Sequence, residues 1–459
     1  MITIFEPEIL IILETLIIGG VFLFMLVHKD FCIGIYIWLL SVLFFKYERI
    51  SLAGSFLPDL SIDRVLFLFL IVVFGIELFT HRQAFFSPGS IGWAMFLFCF
   101  IAIVSMIWNG LIIKEGGRLS IGQLLTGYIF PFSMFFIAQH IYYDRYKREG
   151  FVKFIILLGL YLGVTAILEH YGINRFIWPR YITDPYFGIH FGRARGPFAQ
   201  AAFNGTVLGF AFVASTYFLF SCGRENILWK ILSIMLLVIS PIALFFTYTR
   251  GTWIGGLLGF IIITWFFLRH RKMLTLLTVG FLAIAIIFTG IFLLDEKAIR
   301  MAISRAYSEQ PVYDRLNLYI ASLNMFKDSP LFGIGFGKFS DRVSDYYINI
   351  DGIRFQDEAK SEHDTLVGVL AEMGLIGLAL VLYIYYKIIS KSIVLHKHLF
   401  SVQEEDRFLI YIFWGIWVVF LVNAIFIDMR YSEFINSIVF ITAGIIFGWG
   451  RSFDEKLIR

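Results

Sequence analysis

The candidate chemistry of this chain rests on one histidine and a small set of arginines. His363 lies in Ser361-Glu362-His363-Asp364-Thr365, directly ahead of an apolar run that begins at Leu366. Ser361 fits a helix N-cap, with Asp364 three residues on as a weaker form of the capping-box acid. His363 then falls in the first turn. There the positive end of the helix dipole disfavours imidazolium, so the ring stays neutral and able to take a proton near pH 7. A histidine at a helix start is more often structural than catalytic. What makes His363 a candidate base is that it faces the same compartment as the arginines. His170 and His190 share that face and are weaker rivals.

The arginines concentrate in INRFIWPRYITDPYFGIHFGRARGPFAQ, which carries Arg175, Arg180, Arg193 and Arg195 against a single acid, Asp184. Arg175 and Arg180 flank Trp178 and fit snorkelling to lipid headgroups. Arg193 and Arg195 stand in Gly-Arg-Ala-Arg-Gly-Pro just before an apolar helix. Glycines there let backbone and guanidinium come close to a phosphate, which arginine binds by bidentate charge-assisted bonds. Arg250, in Thr247-Tyr248-Thr249-Arg250-Gly251-Thr252-Trp253, sits in a tight hairpin between two apolar runs. Alone it reads equally well as a snorkelling cation; beside Arg193 and Arg195 it is a third cation on one face.

The elements that must hold these residues are membrane helices. The chain has 459 residues, 59% hydrophobic and 16% charged, with mean hydropathy +0.80, which excludes a soluble globular domain. At about twenty apolar residues per span, helices are expected near 9–27, 31–45, 64–80, 92–108, 122–142, 151–170, 200–222, 227–247, 252–268, 273–294, 365–386, 408–428 and 434–449. The fold class is thus an all-α polytopic membrane protein of about 12–13 transmembrane helices; the first two spans are the ones in question. The N-terminus lacks a basic region and a small-residue cleavage site, so the first apolar run is expected to be retained. A net charge of +4 spread over many loops gives no reason to invoke nucleic acid. Cys32, Cys99 and Cys222 lack metal-ligand spacing, so neither a disulfide nor a metal site is expected.

Lys and Arg collect on the cytoplasmic side of short loops. Arg145 to Arg148, Arg269 to Lys272, the 387–407 segment and the tail from Arg451 share one side under this threading. The loops at 46–63, 109–121 and 171–199, the Thr247–Gly251 hairpin and a long polar stretch at 295–364 then lie outside. That stretch, roughly seventy residues, is too long for an idle turn. It divides the chain into N-terminal spans (1–294), a large periplasmic helical loop (295–364), and C-terminal spans with a cytoplasmic tail (365–459). Within it Leu316, Ile320, Leu323 and Phe326 recur at helical spacing, predicting an amphipathic helix over the bundle that stops at Asp328-Ser329-Pro330. Leu331-Phe332-Gly333-Ile334-Gly335-Phe336-Gly337 follows. No strand-turn-helix unit surrounds these glycines, so they predict a tight backbone path against another element rather than a dinucleotide site. Glu14, Glu77 and Glu372 are acids inside predicted spans, and Glu372 is expected to form interhelical hydrogen bonds. Pro131 and Pro241 are expected to kink their helices.

The order Arg193-Ala194-Arg195-Gly196-Pro197-Phe198, Thr249-Arg250-Gly251, Asp314-Arg315-Leu316, Pro330-Leu331-Phe332-Gly333-Ile334-Gly335, and His363 followed by Leu370-Ala371-Glu372-Met373-Gly374-Leu375-Ile376-Gly377-Leu378 resembles the O-antigen ligase and O-antigen polymerase superfamily of bacterial membrane glycosyltransferases. One position departs: the family often has Asn after the histidine, and here it is Asp364. The resemblance implies a GT-C-like enzyme of the inner membrane with its active site on the periplasmic face. It would move a glycan from undecaprenyl pyrophosphate to a hydroxyl of another glycan or of lipid A-core, with inversion and without metal or cofactor. Arg193, Arg195 and Arg250 would clamp the pyrophosphate, with Arg315 beside them, and His363 would be the base. A transporter or flippase of lipid-linked saccharides is the competing class; it would carry polar or helix-breaking residues along a central path.

Overall fold

The computed structural model describes residues 27–45, 49–50, 60–80, 88–110, 120–142, 144–220, 227–267, 310–347, 364–399 and 404–458, with isolated positions between them. They fall into two compact units, residues 1–87 and 88–459. The first unit holds helix α1 (Phe31–Phe44), a two-residue antiparallel pair of β1 (Arg49–Ile50) and β2 (Leu60–Ser61), and α2 (Ile62–Thr80). Asp30 caps α1 by accepting from the Cys32 amide at 3.0 Å, and Trp38 Nε1 donates to the Asp63 carbonyl at 3.1 Å.

The second unit carries the site. Its helices are α3 (Gly89–Asn109), α4 (Ser120–Ile141), α5 (Arg145–Tyr171), α6 (Ala201–Ala214), α7 (Ile227–Phe246), α8 (Arg250–Phe267), α9 (Gln310–Asp328), α10 (Thr365–Leu399), α11 (Glu404–Phe426) and α12 (Glu433–Ile458). Among the described residues, eight helices are long and apolar enough to cross a membrane, and α1 and α8 are shorter apolar helices. The chain is an all-α polytopic membrane protein. Each expected span has a helix at its place except those near 9–27 and 273–294, which lie outside the described residues.

Small residues let the spans approach closely. On α12, a Cβ at Gly444 or Gly448 would lie 2.4 Å from the Phe135 carbonyl oxygen or 2.3 Å from that of Gln139. The outward face of α7, by contrast, shows Ile227, Leu228, Ile231 and Ile234. Proline explains a local irregularity in α4. Pro131 has no N–H to give the Gly127 carbonyl, the turn Leu125–Ile129 ahead of it is π-helical, and Asn436 Nδ2 takes up that carbonyl at 3.2 Å. Pro241 lies within α7.

Helix α10 is broken at Gly374, where φ is 63° and ψ −161°. An unbroken helix would join Leu375 N–H to the Ala371 carbonyl and Ile376 N–H to that of Glu372. Instead the Leu375 and Ile376 amides donate to Pro330 and Leu331 at 2.9 and 3.3 Å, and the Ala371 and Glu372 carbonyls accept from Ile334 and Gly335 at 2.9 and 3.1 Å. The glycine-rich stretch is therefore spliced into the gap of a membrane helix. It demands glycine twice: a Cβ at Gly333 would meet the Glu372 carbonyl carbon at 2.3 Å, and one at Gly374 that of Leu331 at 2.4 Å. This is the tight path against another element that the glycines predicted.

The amphipathic helix exists as α9, but its buried face differs from the expected one. Leu316 and Leu323 are exposed, while Leu318, Ala321 and Met325 are buried and pack with Ile334, Phe339, Val343 and Ala371. The apolar stripe misled because, beside a membrane, helices meet through small residues as well as large ones. Here Ala321 and Ser322 give the close approach.

Candidate functional site

Between α5 and α6 the chain folds over its own arginine. Arg195 is 1% exposed, and its guanidinium donates to the backbone carbonyls of Ile182, Asp184 and Phe187. Glu169 Oε2 accepts from the Gly196 amide at 3.0 Å, and Gly196 has φ +52° with Asn204 where a side chain would stand. Arg195 is buried on its own loop's carbonyls, which satisfies the donors of an interior charge and holds the loop around it.

Arg193, 9% exposed, is held by the same scaffold. The Ala194 amide donates to the Phe246 carbonyl at 2.9 Å and Asn204 Nδ2 to the Ala194 carbonyl at 3.0 Å, so the arginine loop backs onto the end of α7. The turn that follows α7 delivers Arg250 as the first residue of α8, exposed. From α9, Arg315 lies with its guanidinium 5.9 Å from the Phe426 ring. Burial, and then the positive charge of Arg250, hold the Arg315 pKa below the usual guanidinium range. Among the described residues neither Arg250 nor Arg315 has a carboxylate partner. Two like charges are thus gathered at one end of the bundle with no counter-ion among the described residues, an arrangement that suits an anion.

The start of α10 lies alongside. The helix begins at Thr365 and is capped by Asp364, whose Oδ1 accepts from the amides of Leu366 and Val367 at 2.8 and 2.9 Å. The expected Ser361 cap and His363 both lie outside the described residues. One carboxylate oxygen of Asp364 thus serves two first-turn amides. Its other oxygen, Oδ2, accepts from the Tyr319 hydroxyl of α9 at 2.9 Å. Thr365 Oγ1 donates to the Ile427 carbonyl at 3.0 Å and accepts from the Met429 amide at 2.9 Å.

Behind this surface is a closed polar cluster. Arg430 is 3% exposed and pairs with Glu372 at 3.0 Å and with Asp428 at 2.9 Å. Glu372 also accepts from the Tyr431 hydroxyl at 2.6 Å and the Phe339 amide at 3.0 Å. Burial, and then the Glu372 carboxylate, push the Tyr431 pKa well above its ordinary range, which keeps the hydroxyl a donor. The interhelical bonding expected of Glu372 is present. Its partner Arg430 was missed in the sequence, although Asp-Met-Arg-Tyr at 428–431 between two spans was the signal: an intramembrane acid needs a cation.

His170 is also closed off. It stacks on Phe246 at 3.8 Å, Nε2 meets Asp295 Oδ2 at 2.6 Å, and Nδ1 meets the Tyr248 hydroxyl at 3.3 Å. With both ring nitrogens engaged and 3% exposure, it ties the α7–α8 turn to the start of the long loop. His190 has φ 63° and gives its carbonyl to the Arg193 amide at 3.1 Å. Among the described residues no three His, Cys, Asp or Glu side chains converge as a metal ion would need.

The fold defines an all-α multi-pass membrane protein with two arginines gathered at one end of the bundle. Residues 234–382, from within α7 to within α10, match the model of the O-antigen ligase family, so this third of the chain is similar to that family and supports the resemblance to the O-antigen ligase and polymerase superfamily. The matched stretch includes Arg250, Arg315, the spliced glycine loop and Asp364. No curated protein matches the chain.

Proposed function

We propose that this protein transfers a glycan from an undecaprenyl-pyrophosphate donor to an acceptor hydroxyl at the periplasmic face of the inner membrane. The acceptor is another glycan, for an O-antigen or exopolysaccharide polymerase, or lipid A-core, for an O-antigen ligase. The observation that carries this is the Arg250–Arg315 pair, two cations held together with no carboxylate partner among the described residues. As the glycosidic bond breaks, charge grows on the leaving pyrophosphate, and fixed guanidiniums stabilise it. Arg193 joins them from the adjoining loop; Arg195 shapes that loop. The acceptor oxygen attacks the anomeric carbon, the bond to pyrophosphate breaks with its electron pair, and His363 takes the acceptor proton. One displacement inverts the centre. Arg175 and Arg180, both exposed, meet lipid headgroups.

A broken membrane helix also occurs in transporters, where the gap binds the cargo. In α10 four backbone groups freed at the gap are taken by residues 330–335. Those groups are not open to a cargo, which supports the enzyme over the transporter.

Purified protein is incubated with an undecaprenyl-pyrophosphate oligosaccharide, with and without lipid A-core. A ladder without the core means polymerase, product only with it means ligase, and no transfer in either overturns the proposal. Folded His363→Ala should lose about 10² to 10⁴ in single-turnover rate at saturating substrates, with donor binding kept. Because the neutral ring is the working form, wild-type activity should fall as pH drops through the histidine range near about 6.5. A variant within about threefold of wild type excludes the base role.

A further inference from the structure

The cationic pair poses a mechanical question. Arg250 and Arg315 repel, so something must hold α9 where its arginine stays beside α8. The apolar contacts of α9 run through Leu318, Ala321 and Met325, all C-terminal to Arg315. Closer to the arginine is Tyr319, one helical turn along and on the same side of α9. Its hydroxyl ends on Asp364, 2.9 Å away.

Followed outward from there, the contacts close into a ring. Asp364 is fixed by two amides of α10. The next residue, Thr365, bonds to Ile427 and Met429. Ile427 follows Phe426, which packs on Gly251 beside Arg250, where an added Cβ would stand 3.1 Å from it. Phe426 also lies beneath the Arg315 guanidinium. The path from Arg250 through Phe426, Thr365, Asp364 and Tyr319 back to Arg315 thus encloses the two charges. In that ring the Tyr319–Asp364 hydrogen bond links the helix that carries Arg315, which lies outside the spans, to the capped start of a membrane helix.

We propose that Tyr319, through its hydrogen bond to Asp364, is a positioning residue that sets Arg315 at the donor pyrophosphate; this rests on the clamp assigned above to Arg250 and Arg315. The hydroxyl touches no substrate. Its work is to make the guanidinium wait in place, so that donor binding need not order it. Loss of the hydroxyl should therefore appear in donor affinity more than in the chemical step.

The test uses the full-length protein and an undecaprenyl-pyrophosphate oligosaccharide. Tyr319→Phe keeps the ring and leaves Asp364 Oδ1 on its two amides, so α10 stays capped. It should raise the donor KM about tenfold, with kcat and acceptor KM within about twofold of wild type. In an Arg315→Gln background the same change should add less than about twofold, because its effect passes through that guanidinium. A merely structural tyrosine would instead lower kcat and melting temperature and add its loss to that of Arg315→Gln. Asp364→Ser, which keeps a capping oxygen but cannot reach Tyr319, should reproduce the rise in donor KM and decides the matter if Tyr319→Phe does not fold. A wild-type donor KM in either variant, or additive losses in the double variant, overturns the assignment of Tyr319. If Arg315→Gln itself leaves donor KM unchanged, the clamp falls first and Tyr319 with it.

Discussion

Arg430 and the Arg250–Arg315 pair border the same stretch of chain, the start of α10 and the turn after α11, yet the protein treats them in opposite ways. Arg430 is buried with two carboxylates and an aromatic neighbour, its ring centroid 5.1 Å away at Tyr431. Arg250 and Arg315 have no carboxylate among the described residues and act on each other. Burying a charge is costly unless it is paired, so Arg430 shows how this fold neutralises a cation it means to keep. Where two cations have no carboxylate among the described residues, an anionic ligand is the partner proposed for them. The contrast predicts that substitutions on the sealed side lose stability, whereas those on the open side lose ligand. Arg430→Gln should show the largest structural effect: with Glu372 and Asp428 left unpaired, about 3–5 kcal/mol of stability should go. Thermal melting in detergent measures this, and a melting temperature equal to wild type would erase the contrast.

The spliced break in α10 belongs to the sealed side. Gly374 adopts a backbone conformation essentially reserved for glycine, and an added Cβ would meet the Leu331 carbonyl. Gly374→Ala should therefore cost on the order of 3 kcal/mol through strain and the loosening of residues 330–335. Hydrogen exchange at Ile334 and Gly335, whose amides bond into the break, should quicken with the loss of stability. Protection unchanged from wild type would mean that the splice is not what holds the loop.

Much of this was legible in the sequence, and what was not has physical reasons. Span positions follow from apolar run length, which a bilayer dictates almost alone. The glycines of 333–337 announced a close backbone approach, but not its target, because a break within α10 looks like any other Met-Gly-Leu in an apolar run. Arg195 and Arg193 are spaced alike in the motif, and only folding reveals that the first spends its donors on Ile182, Asp184 and Phe187. Helix face was misjudged for α9, since the Leu316 stripe suits a soluble amphipathic helix and this one rests on Leu318, Ala321 and Met325. The cap at Asp364 is also tied to Tyr319, distant in sequence, through its second oxygen. Long-range partners of this kind leave no local trace in a single chain.

The smallest effect on the unliganded protein should come from Arg250, and it is the most discriminating. Arg250 is exposed, so its repulsion with Arg315 is screened, and Arg250→Gln should leave stability unchanged or raise it by no more than about 0.5 kcal/mol. Removing a charge without losing stability is what a residue kept for a ligand should do. Inorganic pyrophosphate supplies the other half. A ligand that binds only the folded state stabilises it by about 2.7 kcal/mol at one hundred times its Kd. Wild type should thus melt higher as pyrophosphate is added, and Arg250→Gln should lose most of that rise. Arg250→Lys should recover part of it, since an ammonium keeps the charge but cannot form the planar two-point bond. Sulfate at equal ionic strength controls for screening. A pyrophosphate-induced rise that survives Arg250→Gln intact would place the anion elsewhere; a Gln variant that melts well below wild type before any ligand is added would put Arg250 with Arg430 among the structural cations.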